Sequence, residues 1–223
     1  MVLRIPHFPE VAPAQRPLVQ RTGEAAVLLA GSKYDLALPK PHNLVRDFPQ
    51  APFLHYIYGS ALSSRSLFGE AAAQFAIETR ISPQSELPFV ELASLNLQRH
   101  AAKDAIAPAK RAVQLAPTAA AAHYVLGRAY LELKQIDAAI QELLRATELS
   151  PASPEIHFHL ARAYARKNLP EKAATERAVF ARLSALAEQQ RSATGSQSYG
   201  AVRQPDGAVP DSQRTSPSSS PPQ

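Results

Sequence analysis

The sequence predicts an all-α solenoid of about four helical hairpins, and three observations carry that prediction. Pro49, Pro83, Pro117 and Pro151 each follow the last by 34 residues, a fixed period of the size expected of a helical repeat. Aromatics make up 7% of the chain, Trp is absent and Ala is abundant, a balance that suits close-packed helices over a sheet. A set of small and large apolar residues also keeps constant offsets from each of these prolines.

In the clearest copy, Leu126-Gly127 and Tyr130 are followed by Ala139, Leu143, Ala146 and Pro151. One period earlier the same slots hold Leu92-Ala93, Asn96, Ala105, Ala109, Ala112 and Pro117, and one earlier still Tyr58-Gly59, Leu62, Ala71, Phe75, Glu78 and Pro83. One period later they hold Leu160-Ala161, Tyr164 and Ala173. Small residues let the two helices of a hairpin approach to ~8–10 Å while the larger ones fill the seam. The proline cannot continue the preceding helix, so the chain turns there. One hairpin cannot bury both its faces, hence stacking.

These residues resemble the tetratricopeptide (TPR) signature over residues 52–187, a large residue, Leu-Gly, Tyr, Ala, an aromatic and Pro recurring over 34 positions. The resemblance implies a right-handed α-α superhelix, the TPR solenoid.

The elements follow in order. Residues 1–17 read as a Pro-rich extended segment. Residues 18–51 read as a degenerate leading repeat: 24–30 supply one helix, and Pro39 and Pro41 break the second, sparing a short piece before Pro49. The array occupies 52–190, as repeats 52–85, 86–119, 120–153 and 154–190. In the last of these Arg177 takes the slot of Leu143 and Phe75, so the inward register ends, and 171–190 read as a longer capping helix with its charges toward water. Residues 191–223, dominated by Ser, Pro, Gln and Gly, have too few apolar side chains to offset the entropy of ordering and are expected to be disordered.

Composition narrows the function. Without Cys there is no disulfide, thiol catalysis or thiolate metal site. A formal charge of +5 and a pI near 9.6 favour anionic partners, although Lys and Arg alternate with Asp and Glu through the middle of the chain. Pro6 and Pro9 interrupt any signal-peptide core and the apolar stretch 25–30 is too short to span a bilayer, which makes a cytoplasmic location the default expectation. A Gly-rich phosphate loop, HExxH and G-x-S-x-G are all absent. A non-catalytic protein without cofactor is therefore expected.

His55, His123 and His157 share one repeat position. Equivalent positions in stacked repeats lie ~10 Å apart, whereas metal ligands converge within ~2 Å of one ion. Each His is thus expected to replace the bulky residue that opens the repeat, and His157 and His159, two apart, do not share a helix face.

The resemblance also implies a binding surface, because in this family the first helix of each repeat lines a concave groove. Carried onto this chain, the groove positions are Tyr56 and Ser60, Val90 and Ser94, Tyr124 and Arg128, Phe158 and Arg162, with Arg166 one turn further. Arg128 and Arg162, with Tyr124 and Phe158 beside them, suit a carboxylate or an acidic peptide held by bidentate hydrogen bonds and ring stacking. The competing expectation is that each Arg pairs with a nearby Glu such as Glu132 or Glu155, worth under ~1 kcal/mol. Tyr56 and Ser60 stand where the subclass that clamps chaperone carboxylates has Lys and Asn, which argues against that subclass. Basic residues between 162 and 182 are diluted by Glu171 and Glu176, which argues against nucleic acid.

The expected function is a protein-interaction scaffold holding a peptide or protein segment in the concave groove. The alternative is a structural subunit of a larger assembly, using its convex face or terminal helix. Neither expectation sets an oligomeric state.

Overall fold

Glycine and alanine at the helix contacts govern how closely this chain folds on itself. The computed structural model describes residues 39–200, as nine α-helices: α1 Pro39–Asp47, α2 Leu54–Ser64, α3 Phe68–Ile81, α4 Leu87–Gln98, α5 Ala102–Leu115, α6 Ala120–Glu132, α7 Ile136–Leu149, α8 Pro154–Arg166 and α9 Pro170–Gly200. No strand occurs among the described residues. Helices α2/α3, α4/α5, α6/α7 and α8/α9 are the hairpins of the four predicted repeats. The chain divides into one compact unit ending at Leu183 and a second beginning at Ser184, which carries the last part of α9.

The repeat slots do what their sizes require. A Cβ on Gly127 would come within 2.8 Å of Leu143 Cγ, and one on Gly59 within 2.9 Å of Phe75 Cε1. In the second repeat the slot holds Ala93 instead, and the facing residue shrinks to Ala109, both fully buried. The side chain gained on one helix is thus offset by one lost on the other. The core is a chain of clusters running from repeat to repeat: Ala93, Leu97, Ala105 and Ala109 meet Val125, Leu126 and Ala129 of the next repeat, and Leu131, Ala139 and Leu143 meet Leu160, Ala163 and Tyr164.

The hairpin turns repeat as faithfully. Ser66, His100, Lys134 and Asn168, 34 residues apart, take φ of 60°, 58°, 61° and 58°. After each, the next amide donates to a carbonyl five residues back: Leu67 to Leu62, Ala101 to Asn96, Gln135 to Tyr130 and Leu169 to Tyr164. This is a Schellman cap, whose left-handed residue is usually Gly. Here none is Gly, and a β-carbon in that conformation costs ~1–2 kcal/mol.

The repeated histidines do more than fill space. His55, His123 and His157 are buried. Their Nδ1 atoms bond Gln74, Glu142 and Glu176 on the second helix at 2.7, 2.7 and 2.6 Å. Their Nε2 atoms bond the carbonyls of Pro49, Pro117 and Pro151 at 3.1, 3.0 and 3.0 Å. Each ring therefore fastens the first helix of a repeat both to its second helix and to the turn through which the chain enters.

The second repeat lacks both halves of this latch, with Phe89 in the His slot and Pro108 in the acceptor slot. Pro108 lies inside α5 and has no N–H for the Asp104 carbonyl. Asn96 Nδ2 donates to that carbonyl instead, at 3.1 Å, which accounts for Asn in a slot that is Tyr in the next repeat. Glu78 likewise departs from the Ala of its slot. Fully buried, it accepts the amides of Phe53 at 2.7 Å and Tyr56 at 3.3 Å, satisfying donors that the start of α2 would otherwise leave unpaired.

The ends differ from expectation in two respects. Pro39 and Pro41 open α1 instead of breaking a helix, because in a first turn the missing N–H has no intrahelical acceptor to lose. Helix α9 runs to Gly200, so residues 191–200, assigned from sequence to the tail, extend the terminal helix. That stretch contains no proline, the first being Pro205. Arg177 is exposed where Phe75 and Leu143, in the same slot, are buried. The expectations for 1–17, 24–30 and 201–223 fall outside the described residues. No described helix is long and apolar enough to cross a membrane.

Gly127→Ala should lower the unfolding free energy by ~1–3 kcal/mol through overpacking against Leu143; an unchanged urea midpoint would contradict the close contact. Lys134→Gly should raise stability by up to ~1 kcal/mol, relief of the left-handed backbone exceeding the entropy glycine adds to the unfolded chain, read as a higher midpoint with the same slope.

Candidate functional site

Residues three and seven positions apart share one face of a helix, so each first helix presents a short column. The columns read Tyr56, Ser60, with Phe53 just before the helix; Leu87, Val90, Ser94; Ala121, Tyr124, Arg128; and Glu155, Phe158, Arg162. Their chemistry changes along the chain from apolar and neutral to aromatic and cationic.

At the neutral end, Tyr56 is half-buried and its ring lies 5.6 Å from that of Phe75. The Ser60 hydroxyl donates to the Tyr56 carbonyl at 2.9 Å, and Ser94 is half-buried. Burial, helped by the nearby Glu91 carboxylate, pushes the Tyr56 hydroxyl above its usual pKa, and burial raises Glu91 as well. Phe53 and Leu87, not named as groove residues from the sequence, are 46% and 43% exposed. Their signal was present in the 34-residue spacing and in their place three residues before Tyr56 and Val90.

At the cationic end, the Arg128 guanidinium carbon lies 5.5 Å from the centre of the Tyr124 ring, and that of Arg162 lies 5.7 Å from the Phe158 ring. Such stacking holds a guanidinium in place at ~0.5–1 kcal/mol or more. Phe158 is 42% exposed and rests on Phe180 of α9 at 5.5 Å. Among the described residues neither arginine has a carboxylate within ion-pair distance, Glu132 and Glu155 included. A cleft of roughly 370 Å³ opens beside Tyr124, between the starts of α6 and α8, with Ala120, Ala121, Ile156 and Glu155 in its wall.

Arg166 is committed elsewhere, donating to the Leu131 carbonyl at 2.6 Å. It thereby closes the C-terminal end of α6, the favourable end for a cation. The structure thus brings Tyr124, Arg128, Phe158 and Arg162 together and sets Arg166 apart as a tie between repeats.

His159, considered in the sequence only beside His157, is not among the expected groove residues. Its ring lies 5.6 Å from Tyr124 and 5.1 Å from Phe158, wedged between the two columns. Burial, then Arg128, then Arg162, push its pKa down to about 3. His159 Nδ1 and Arg128 Nε are the two buried side-chain polar atoms without a hydrogen-bond partner among the described residues. The Tyr124 hydroxyl is shifted upward, chiefly by burial and against the pull of Arg128. Two cations, a neutral imidazole and two rings form a site in which the one nearby carboxylate, Glu155, acts on Tyr124 without pairing either arginine, a kind of electrostatic strain concentrated at functional sites.

The family model for the TPR repeat matches residues 127–168, which contain Arg128, Phe158, His159 and Arg162. Among solved structures, the chain is similar to MamA from Desulfovibrio magneticus RS-1, at 23% identity and a TM-score of 0.66, over 77% of this chain and 95% of that one. It is also similar to a MamA RS-1 double mutant, at 22% identity and a TM-score of 0.67, over 76% and 96%. A third likeness is to YrrB, described as a TPR protein with an unusual peptide-binding site, at 20% identity and a TM-score of 0.62, over 73% and 84%. At these identities the likeness concerns the fold. No curated protein matches the sequence. Proteins built from this repeat generally mediate protein–protein interactions as non-catalytic scaffolds.

His159 gives the site a stability signature. Its folded pKa lies below the ordinary value of 6.5, so between the two the unfolded chain binds the extra proton and stability falls as pH drops. A His159→Gln variant should lose less stability than the parent on going from pH ~6.5 toward pH ~4, measured by thermal melts; parallel losses in both proteins would refute the shift.

Proposed function

We propose that this chain, whose fold is that of the tetratricopeptide-repeat structures it resembles and whose residues 127–168 match the repeat, is a non-catalytic scaffold that holds an acidic segment of a partner protein in its concave groove. Arg128 and Arg162 carry the recognition. The observation behind this reading is that both guanidiniums lie over aromatic rings without a carboxylate in reach, although exposed glutamates stand nearby. An arginine so placed keeps its N–H fork available for the two oxygens of a carboxylate.

The remaining groove residues give the ligand its shape. Phe158 and Tyr124 offer ring faces beside the two cations, and the cleft by Tyr124 accepts a small apolar side chain. Tyr56, Ser60 and Ser94, with the exposed Phe53 and Leu87, offer a neutral and apolar track toward the N-terminal repeats. Arg166 supports this surface by tying α8 to α6 and makes no primary contact. An extended segment lying along successive first helices meets both ends of this gradient, and its apolar residues would bury against Leu87 while its acidic ones reach the arginines.

Arg128→Ala together with Arg162→Ala should weaken capture of a fluorescent glutamate-rich peptide by at least ~10-fold, the loss expected when charge-assisted hydrogen bonds worth ~1.5–3 kcal/mol are removed. The glutamine counterpart of the peptide should bind the parent weakly and be indifferent to the change. Equal anisotropy titrations of parent and double variant with the glutamate peptide would exclude the arginine site.

A further inference from the structure

His159 lies where a ligand bound by the two arginines would change its surroundings most. Its ring touches those of Tyr124 on α6 and Phe158 on its own helix, at 5.6 and 5.1 Å, and each of those rings carries an arginine stacked upon it. The charges acting on the imidazole are Arg128 from the preceding repeat and Arg162 from its own helix. Glu155, exposed and one turn earlier on the same helix, acts on Tyr124. Phe180 of α9 contributes an apolar ring to this corner. His157, two residues away, is engaged on another face with Glu176 and the Pro151 carbonyl.

An imidazole nitrogen buried without a partner is costly, and so is a buried guanidinium N–H in the same condition. Both orphaned atoms of the described residues occur here, at His159 Nδ1 and Arg128 Nε. A carboxylate supplies what both lack, namely a negative charge and acceptor oxygens. Seated between Arg128 and Arg162, it would offset the arginine repulsion that, after burial, holds the imidazole neutral, and would favour its protonated form, in which both ring nitrogens donate.

We propose that a carboxylate bound between Arg128 and Arg162 draws a proton from solvent onto His159, so that capture of an acidic segment is linked to proton uptake and tightens as pH falls. This rests on the reading of the groove as the site for an acidic segment. The reaction is a simple association, with one proton passing from the buffer to the imidazole and no other bond made or broken. His159 is a positioning residue: it settles the charge state of the site, while the arginines hold the ligand. A carboxylate a few ångströms away raises a neighbouring pKa by ~1–3 units. From about 3, such a rise brings His159 to ~4–6, where it takes up protons near pH ~5.5 while most ligand carboxylates remain ionised.

The test is calorimetric titration of the full chain with the glutamate-rich peptide near pH ~5.5, in MES and in Bis-Tris, whose different ionisation heats report protons exchanged on binding. The parent should take up a substantial fraction of a proton per peptide and bind ~3- to 5-fold tighter at pH ~5 than at pH ~7. His159→Gln should still bind at pH ~7, with no proton uptake and a flat pH profile. Binding by the parent without proton uptake would overturn the inference and leave the groove reading standing, as would equal uptake by His159→Gln. Absence of peptide binding at either pH would overturn both.

Discussion

The close approach of two helices at a small residue is the interaction on which the rest of this structure depends. Gly127 against Leu143 and Gly59 against Phe75 leave no room for a β-carbon, and Ala93 finds its room because Ala109 faces it. Hairpins drawn together in this way present flat, apolar flanks that must be covered by the next hairpin, which is why the buried clusters run across repeat boundaries. Stacking in turn repeats one surface column per repeat. The fold therefore delivers side chains to the faces of the first helices at fixed intervals, whatever those side chains are.

The departures from the repeat are compensated locally, and each compensation has an identifiable donor or acceptor. Pro108 removes an amide from α5, and Asn96 supplies the missing donor to Asp104. Glu78 replaces a buried alanine and returns two hydrogen bonds to the amides at the start of α2. Phe89 and Pro108 replace a histidine and its acceptor together, so neither is left buried without its partner. A degenerate repeat of this kind remains foldable because its exceptions come in matched pairs.

The columns of the first helices follow the opposite logic. At their cationic end Arg128, Arg162 and His159 lie close together with neither arginine paired to a carboxylate among the described residues, and two buried nitrogens are left without partners. By contrast, Arg166 closes a helix end, and His123 and His157 face Glu142 and Glu176. A cluster of cations with buried unpartnered nitrogens is where stability has been given up, and a ligand of opposite charge would restore it.

The sequence by itself determined the repeat, the helical hairpins and the spacing that puts Tyr124 and Arg128, and Phe158 and Arg162, at equivalent positions of successive repeats. These follow from spacing, either 34 residues or the three and four of a helix, and spacing is visible without coordinates. It misjudged Pro39 and Pro41 because the same residue breaks a helix interior and opens a first turn, and it stopped α9 at 190 because composition alone does not mark a helix end. Only the tertiary structure decided that Arg128 and Arg162 have no glutamate partner among the described residues, that Arg166 serves the neighbouring repeat, and that the histidines of the repeat latch its two helices together. It alone set His159 between Arg128 and Arg162. Those facts depend on contacts across helices and on which atoms water still reaches, and a period in the sequence specifies neither.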